Sequence, residues 1–480
     1  MKNIFRPFSI LLLISVFVLS SFNMCRKENV DNPIDKVERN VVIYGMVDDE
    51  DTFSKVMVDY LGDHPYTQIT YKRFSDFDEY EKLILNELAE GEGPDIFAMP
   101  NSWFVKNRKK LVPMPESEGT SDDFKTIFVD VATQDLVMTD DNGIERAYGI
   151  PLYVDTLALY YNKDHFEDRL PGVGKPSPTW SGIKGNVISL MKEGEDEIAV
   201  SGIAMGNVEG LLRPVDVLYA LMIQHGVVFY DGLMKEAIFA DSNEYAASDA
   251  LEFYSSFADP RQRHYGWDDD IAADYLMGDV TAFVSGKVSM MFGFANDYDL
   301  ILSQRKIAKT KGVDVVEEAV IKVAPFPQIY DPKDSTKKRD TLAVYDAFAV
   351  ARTSEYSEEA WRILGYLADK DTQANYFELT NKPSGLRSLI AQQKLHPTYG
   401  VFAEQTGYAE SFPVLDVSLF YDWFSQAIEL TNDGEQPRTG LKQVQDKVQE
   451  MLPDAGLRVP INIEYYEKKA DGEDVSDMEI

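Results

Sequence analysis

Apolar positions along this chain change period repeatedly, and the changes mark out alternating strands and helices. Val41 to Met46 is a short apolar run suited to a buried parallel strand. Beyond a polar turn at Asp48 to Asp51, Phe53, Val56, Met57 and Tyr60 recur at spacings of three and four, which predicts a helix ended by Gly62 to Pro65. Gln68 to Phe74 reads as a second strand. Ser75 is the expected N-cap of the next helix, with Asp76, Asp78 and Glu79 at its positive end. Tyr80, Leu83, Ile84 and Leu88 line one face of that helix, and Gly91 and Gly93 stop it before a third strand, Asp95 to Met99. A β-α-β-α-β order without hairpin signals predicts an α/β unit with an open, mostly parallel sheet. Sites on such sheets lie beyond the carboxyl ends of the strands, where Asp48, Asn101, Ser102 and Trp103 fall.

The stretch Tyr148 to Phe166 divides the chain. A Gly149-Ile150-Pro151 turn leads into the apolar run Thr156 to Tyr161 and a polar exit at Asn162 to Asp164, the pattern of a buried strand leaving a crossing point. A second unit follows in the same style. Helices are expected over Thr179 to Glu193, Asp216 to Gly226 and Tyr245 to Phe257, with strand-like runs at Ile198 to Met205 and Val288 to Phe292. Trp267 stands in polar surroundings, Gly266 and Asp268 to Asp270, followed by a short helix to Met277. Val323 to Phe326 and Ala347 to Val350 are further strands. Ser357 is the expected cap of a helix built on Ala360, Trp361, Leu364 and Leu367, and the chain from there to about Met451 reads as helical.

Length and composition narrow the classes. A chain of 480 residues is too long for one hydrophobic core. Five His, none near another in sequence, and one Cys speak against zinc or iron–sulfur sites, and a single Cys forms no intrachain disulfide. The formal net charge of −34 repels nucleic acid, which requires a basic face. Lys2 and Arg6 precede the apolar segment Ile10 to Leu19, a secretory signal over 1–25 rather than a spanning helix. Cys25 follows directly, where a bacterial lipoprotein carries its lipid. Phe22, Asn23 and Met24 depart from the small residues usual there, so a leftover signal-peptide cysteine is the other reading. Residues 26–39 read as a polar tether.

Four stretches then stand in a telling order: ELAEGEGPDIFAMPNSWF (Glu87 to Phe104), YGIPLYVDTLALYYNKDHF (Tyr148 to Phe166), GKVSMMFGFAN (Gly286 to Asn296), and VAPFPQ (Val323 to Gln328) joined to DAFAVARTSEYSEEAWRILGYLAD (Asp346 to Asp369). Together they resemble the extracellular solute-binding proteins of ABC importers, the large family that includes the maltose-type sugar binders. The resemblance implies two α/β lobes around a cleft, joined by more than one crossover. The lobes are expected at 40–152 with 322–353, and at 153–321 with 354–466, before a disordered acidic tail, 467–480. It also implies cleft residues: Asp48, Asn101, Ser102, Trp103, Tyr153, Asp155, Phe294 and Asn296, with Arg387 from the PSGLR segment. Trp267 is added from its polar setting alone. Phe294 and Asn296 stand where sugar binders often carry Trp, a departure from the maltodextrin pattern. The implied activity is capture of a small solute, a sugar or oligosaccharide, for the permease subunits of an ABC importer, without catalysis or cofactor, on the outer side of the membrane. An exported hydrolase using two carboxylates and a binding protein feeding a sensor are the alternatives. No HExxH, GxSxG or Walker pattern occurs.

Overall fold

The computed structural model describes residues 38–194, 198–231, 235–267, 271 and 278–455. The signal segment with Cys25, nearly all of the tether, Asp268 to Asp270, the short helix to Met277 and the acidic tail lie outside the described residues. Two lobes form around separate cores. In the first, strand Arg39–Gly45 pairs in parallel with Thr67–Arg73 and with Ile96–Pro100. Helix Glu50–Asp63 buries Phe53, Val56, Met57 and Tyr60, the positions set by its apolar spacing. Helix Phe77–Glu90 is capped by Asp76 rather than Ser75: the Asp76 carboxylate accepts from the Glu79 N–H at 2.9 Å. Ser357 likewise makes no cap bond and is the first residue of helix Ser357–Leu367.

Strand direction follows from where the chain enters each lobe. Strands Arg39–Gly45 and Ile96–Pro100 run toward the crossing and end there. Strand Asp346–Ala351 arrives from the crossing and must run away from it, so it lies antiparallel to Ile96–Pro100, with Asp346 opposite Pro100. In the second lobe Ala158–Asn162 leaves the crossing, and Met290–Gly293 and Ile321–Ala324 flank it antiparallel. The extended parallel sheet expected in both lobes therefore forms only in the first part of lobe one; elsewhere parallel pairing is limited to short contacts such as Thr341–Val344 with Ala409–Glu410. Ile198 to Met205 is strand only over Ile198–Val200. Three short strands, Asp155–Thr156, Thr341–Val344 and Ala409–Glu410, pair into one sheet where the chain crosses between lobes.

Two expected boundaries move. Ile321–Ala324 pairs with Ala158–Asn162, so it belongs to the second lobe, and the return crossing begins near Thr341 instead of residue 322. Most of residues 354–393 pack on the first lobe, not the second: Trp361, Leu364, Leu367, Tyr376 and Leu389 share a core with Ile43 and Met99, while Phe377 turns to a cluster with Tyr160 and Phe402. Helix Ser357–Leu367 is tied there by Glu359, which accepts from Tyr60 and Thr67 hydroxyls at 2.8 and 2.7 Å. Helices Val417–Asn432 and Pro437–Ala455 then bury Phe420, Phe424, Leu441 and Val444 in the second core. Gly149 marks a close approach in the dividing turn, since a Cβ there would meet Phe104 ring atoms at 2.5 Å.

Candidate functional site

Polar side chains from both lobes converge on the crossing strands. On the first wall, Asp48 follows the end of the first strand. Its carboxylate accepts from the Lys382 ammonium at 2.5 Å and the Tyr376 hydroxyl at 2.9 Å. The same ammonium lies 5.4 Å above the Tyr153 ring and 5.7 Å from that of Tyr376, within cation–π range. Tyr153 donates its hydroxyl to Asp346 at 3.3 Å. Burial pushes the Asp346 carboxyl up to about 6, opposed by the Tyr153 bond and the charge of Lys382. Beside them, Asp135 accepts from Asn101, Tyr345 and Ser411 at 2.8, 2.7 and 2.6 Å. One carboxylate thus joins the end of the third strand to two of the crossing segments. Burial raises its pKa and the three donors draw it back.

The second wall is built around Arg213, one residue before helix Pro214–Gln224. Its guanidinium grips Asp297 through two hydrogen bonds, 2.9 and 2.6 Å, and sits 4.9 Å above the Phe294 ring. Burial works to lower the Arg213 pKa, but the charge of Asp297 and the bonds to it prevail and raise it, so the group stays cationic. Asp297 also accepts the Phe294 N–H at 2.8 Å. Asp155, on the first crossing strand, accepts the N–H groups of Thr156, Ala295 and Asn296 at 2.9, 2.8 and 3.0 Å. Desolvation nevertheless pushes its carboxyl up to about 7. Arg213 and Asp216 lie deep in the protein mass, yet their side chains keep 30% and 14% of their exposure.

The residues expected to line the cleft divide accordingly. Asp48, Asn101, Tyr153 and Asp155 are brought to the crossing, Ser102 is half-buried beside Asn101, and Asn296 is exposed beyond the strand end. Phe294 is buried in the second core and presents its ring to Arg213. Trp103 and Trp267 are core residues instead. Trp103 is 2% exposed and packs on Phe77 at 5.0 Å in the first core; Trp267 is fully buried in the cluster that holds Tyr160, Phe283 and Met291. Arg387 is engaged in an exposed ion pair with Asp130. Sequence reading missed Arg213, Asp297, Asp346, Asp135, Tyr376 and Lys382. A signal existed for one of these: Arg213 and Pro214 open an otherwise apolar helix, where a lone cation needs a partner.

Among the described residues no group of His, Cys, Asp or Glu is arranged to hold a metal ion, and no helix is long and apolar enough to cross a membrane. Similar proteins share this architecture. A binding protein of Brucella abortus is 24% identical over 295 residues, 61% of this chain; the chain spans only 62% of that relative's length. The sugar-binding protein MalE of Xanthomonas citri superposes with a TM-score of 0.68 at 17% identity, over 86% of this chain and 98% of the other. A solute-binding protein of Thermotoga lettingae, bound with α-D-tagatose, gives 0.59 at 18%, over 86% and 100%. The family model for bacterial extracellular solute-binding proteins matches residues 47–374, and with its two lobes and polar crossing the chain belongs to that family.

Proposed function

We propose that this chain captures a sugar or oligosaccharide between its lobes and delivers it to the permease subunits of an ABC importer. The observation that carries the reading is the seam itself: each lobe presents an aromatic ring under a fixed cation, flanked by carboxylates and amides. A sugar offers apolar C–H faces and a rim of hydroxyls, which match rings and paired acceptors. Relatives of the same fold hold α-D-tagatose, maltotetraose and D-mannitol, all polyhydroxylated. Closure about the three crossing strands would exclude water and strengthen each polar contact, and the closed state is the form a permease would read. Residues 1–25 serve export. Asp155 has the raised pKa of a general acid, but three backbone N–H groups occupy its oxygens and it is buried, which favours binding over hydrolysis.

A thermal-shift screen of residues 26–480 against mono- and oligosaccharides, polyols, amino acids and short peptides tests this. A bound sugar at a hundredfold excess over Kd adds about 2.7 kcal/mol of stability and is recovered unchanged. A shift from peptides or amino acids alone, or turnover of the sugar, would overturn the reading.

A further inference from the structure

Charge along the seam is lopsided. Asp48, Asp135, Asp155, Asp216, Asp297 and Asp346 stand on it, opposed by Arg213 and Lys382. Both cations already hold a carboxylate, Arg213 through two bonds to Asp297 and Lys382 through its contact with Asp48. Asp135 and Asp346 are hydrogen-bonded by neutral groups alone: Asn101, Tyr345 and Ser411 for the first, Tyr153 for the second. Arg73 is exposed and turns its Nε to the Met46 carbonyl at 3.4 Å. An arriving anion would therefore surrender its hydration beside carboxyl groups that outnumber the cations, and Arg213 and Lys382, among the described residues of the seam, are already held by carboxylates. A hydroxyl or ammonium group, by contrast, can donate to Asp346, whose Oδ2 holds only the Tyr153 hydroxyl. We propose that the solute of this seam is uncharged or amine-bearing, and that sugars carrying a carboxylate, sulfate or phosphate are rejected.

This rests on the seam being the sugar site, and the test separates the two. Calorimetry on the full exported chain compares matched neutral, amino and uronate forms of glucose and galactose, as monomers and short oligomers. The neutral or amino form is expected to bind at least tenfold more tightly than its uronate. Raising salt should narrow the gap by screening, and so should Asp346→Asn or Asp135→Asn. Equal or tighter binding of the uronate overturns the charge proposal while leaving a sugar receptor standing. Binding by none of the three forms overturns the sugar reading and the proposal with it.

Discussion

Both lobes use one device at the seam, a cation fixed over an aromatic ring by an aspartate, but they wire it differently. In lobe two the pair is closed by carboxylates alone: Arg213 meets Asp297 through two bonds and lies 3.7 Å from Asp216, and Asp297 also holds the loop at Phe294. In lobe one the Lys382 and Asp48 pair is open, shared with Tyr376 and spread over two rings, and Asp346 nearby has only a hydroxyl partner. The closed pair reads as scaffold and the open one as a surface with bonding capacity left over. The planar fork of Arg suits the first and the point charge of Lys the second.

The contrast can be broken most severely at Arg213. Arg213→Ala strands Asp297, 3% exposed, without its counter-charge and should cost about 3–5 kcal/mol, read by denaturant unfolding. Trp103→Ala should cost a similar or slightly smaller amount, about 3 kcal/mol, by opening a cavity in the first core. Because that indole lies off the seam, solute affinity measured on the folded fraction should stay the same, and a tenfold loss would return Trp103 to the cleft.

A smaller effect concerns pH. Asp279 accepts the Leu212 N–H at 3.1 Å through one oxygen and has no partner on the other, and desolvation pushes it up to about 7. With its folded pKa above the unfolded value of 3.8, the folded state binds this proton more tightly, so its contribution to stability grows as pH falls from about 7 toward about 4. Melts across that window should show Asp279→Asn flattened relative to the parent; a parallel pair of curves would refute the shift. Smallest is Arg387→Ala. Its pair with Asp130 is exposed on both sides, so stability should change by less than about 1 kcal/mol and affinity not at all.

What the sequence by itself determined is local. Apolar spacing placed the helix around Phe53 to Tyr60 and the strands at 41–46 and 95–99, each within a few residues of the observed element, because periodicity needs only the chain's own neighbours. The stretch at Tyr148 to Phe166 announced the crossing, and the residues after the first and third strands supplied Asp48 and Asn101. Caps were less legible, since Ser75 and Asp76 are both competent and the backbone turn chose the second. Only the tertiary structure decided which lobe owns residues 321–324 and 354–393, as an apolar helix face does not state which core receives it. It also decided that Trp103 and Trp267 turn inward. The partners Lys382 and Asp48 are separated by 334 residues, and Arg213 and Asp297 by 84. The first pair exists only once the chain has crossed between lobes and returned, and the second only once lobe two has folded, so no spacing in the sequence could encode them.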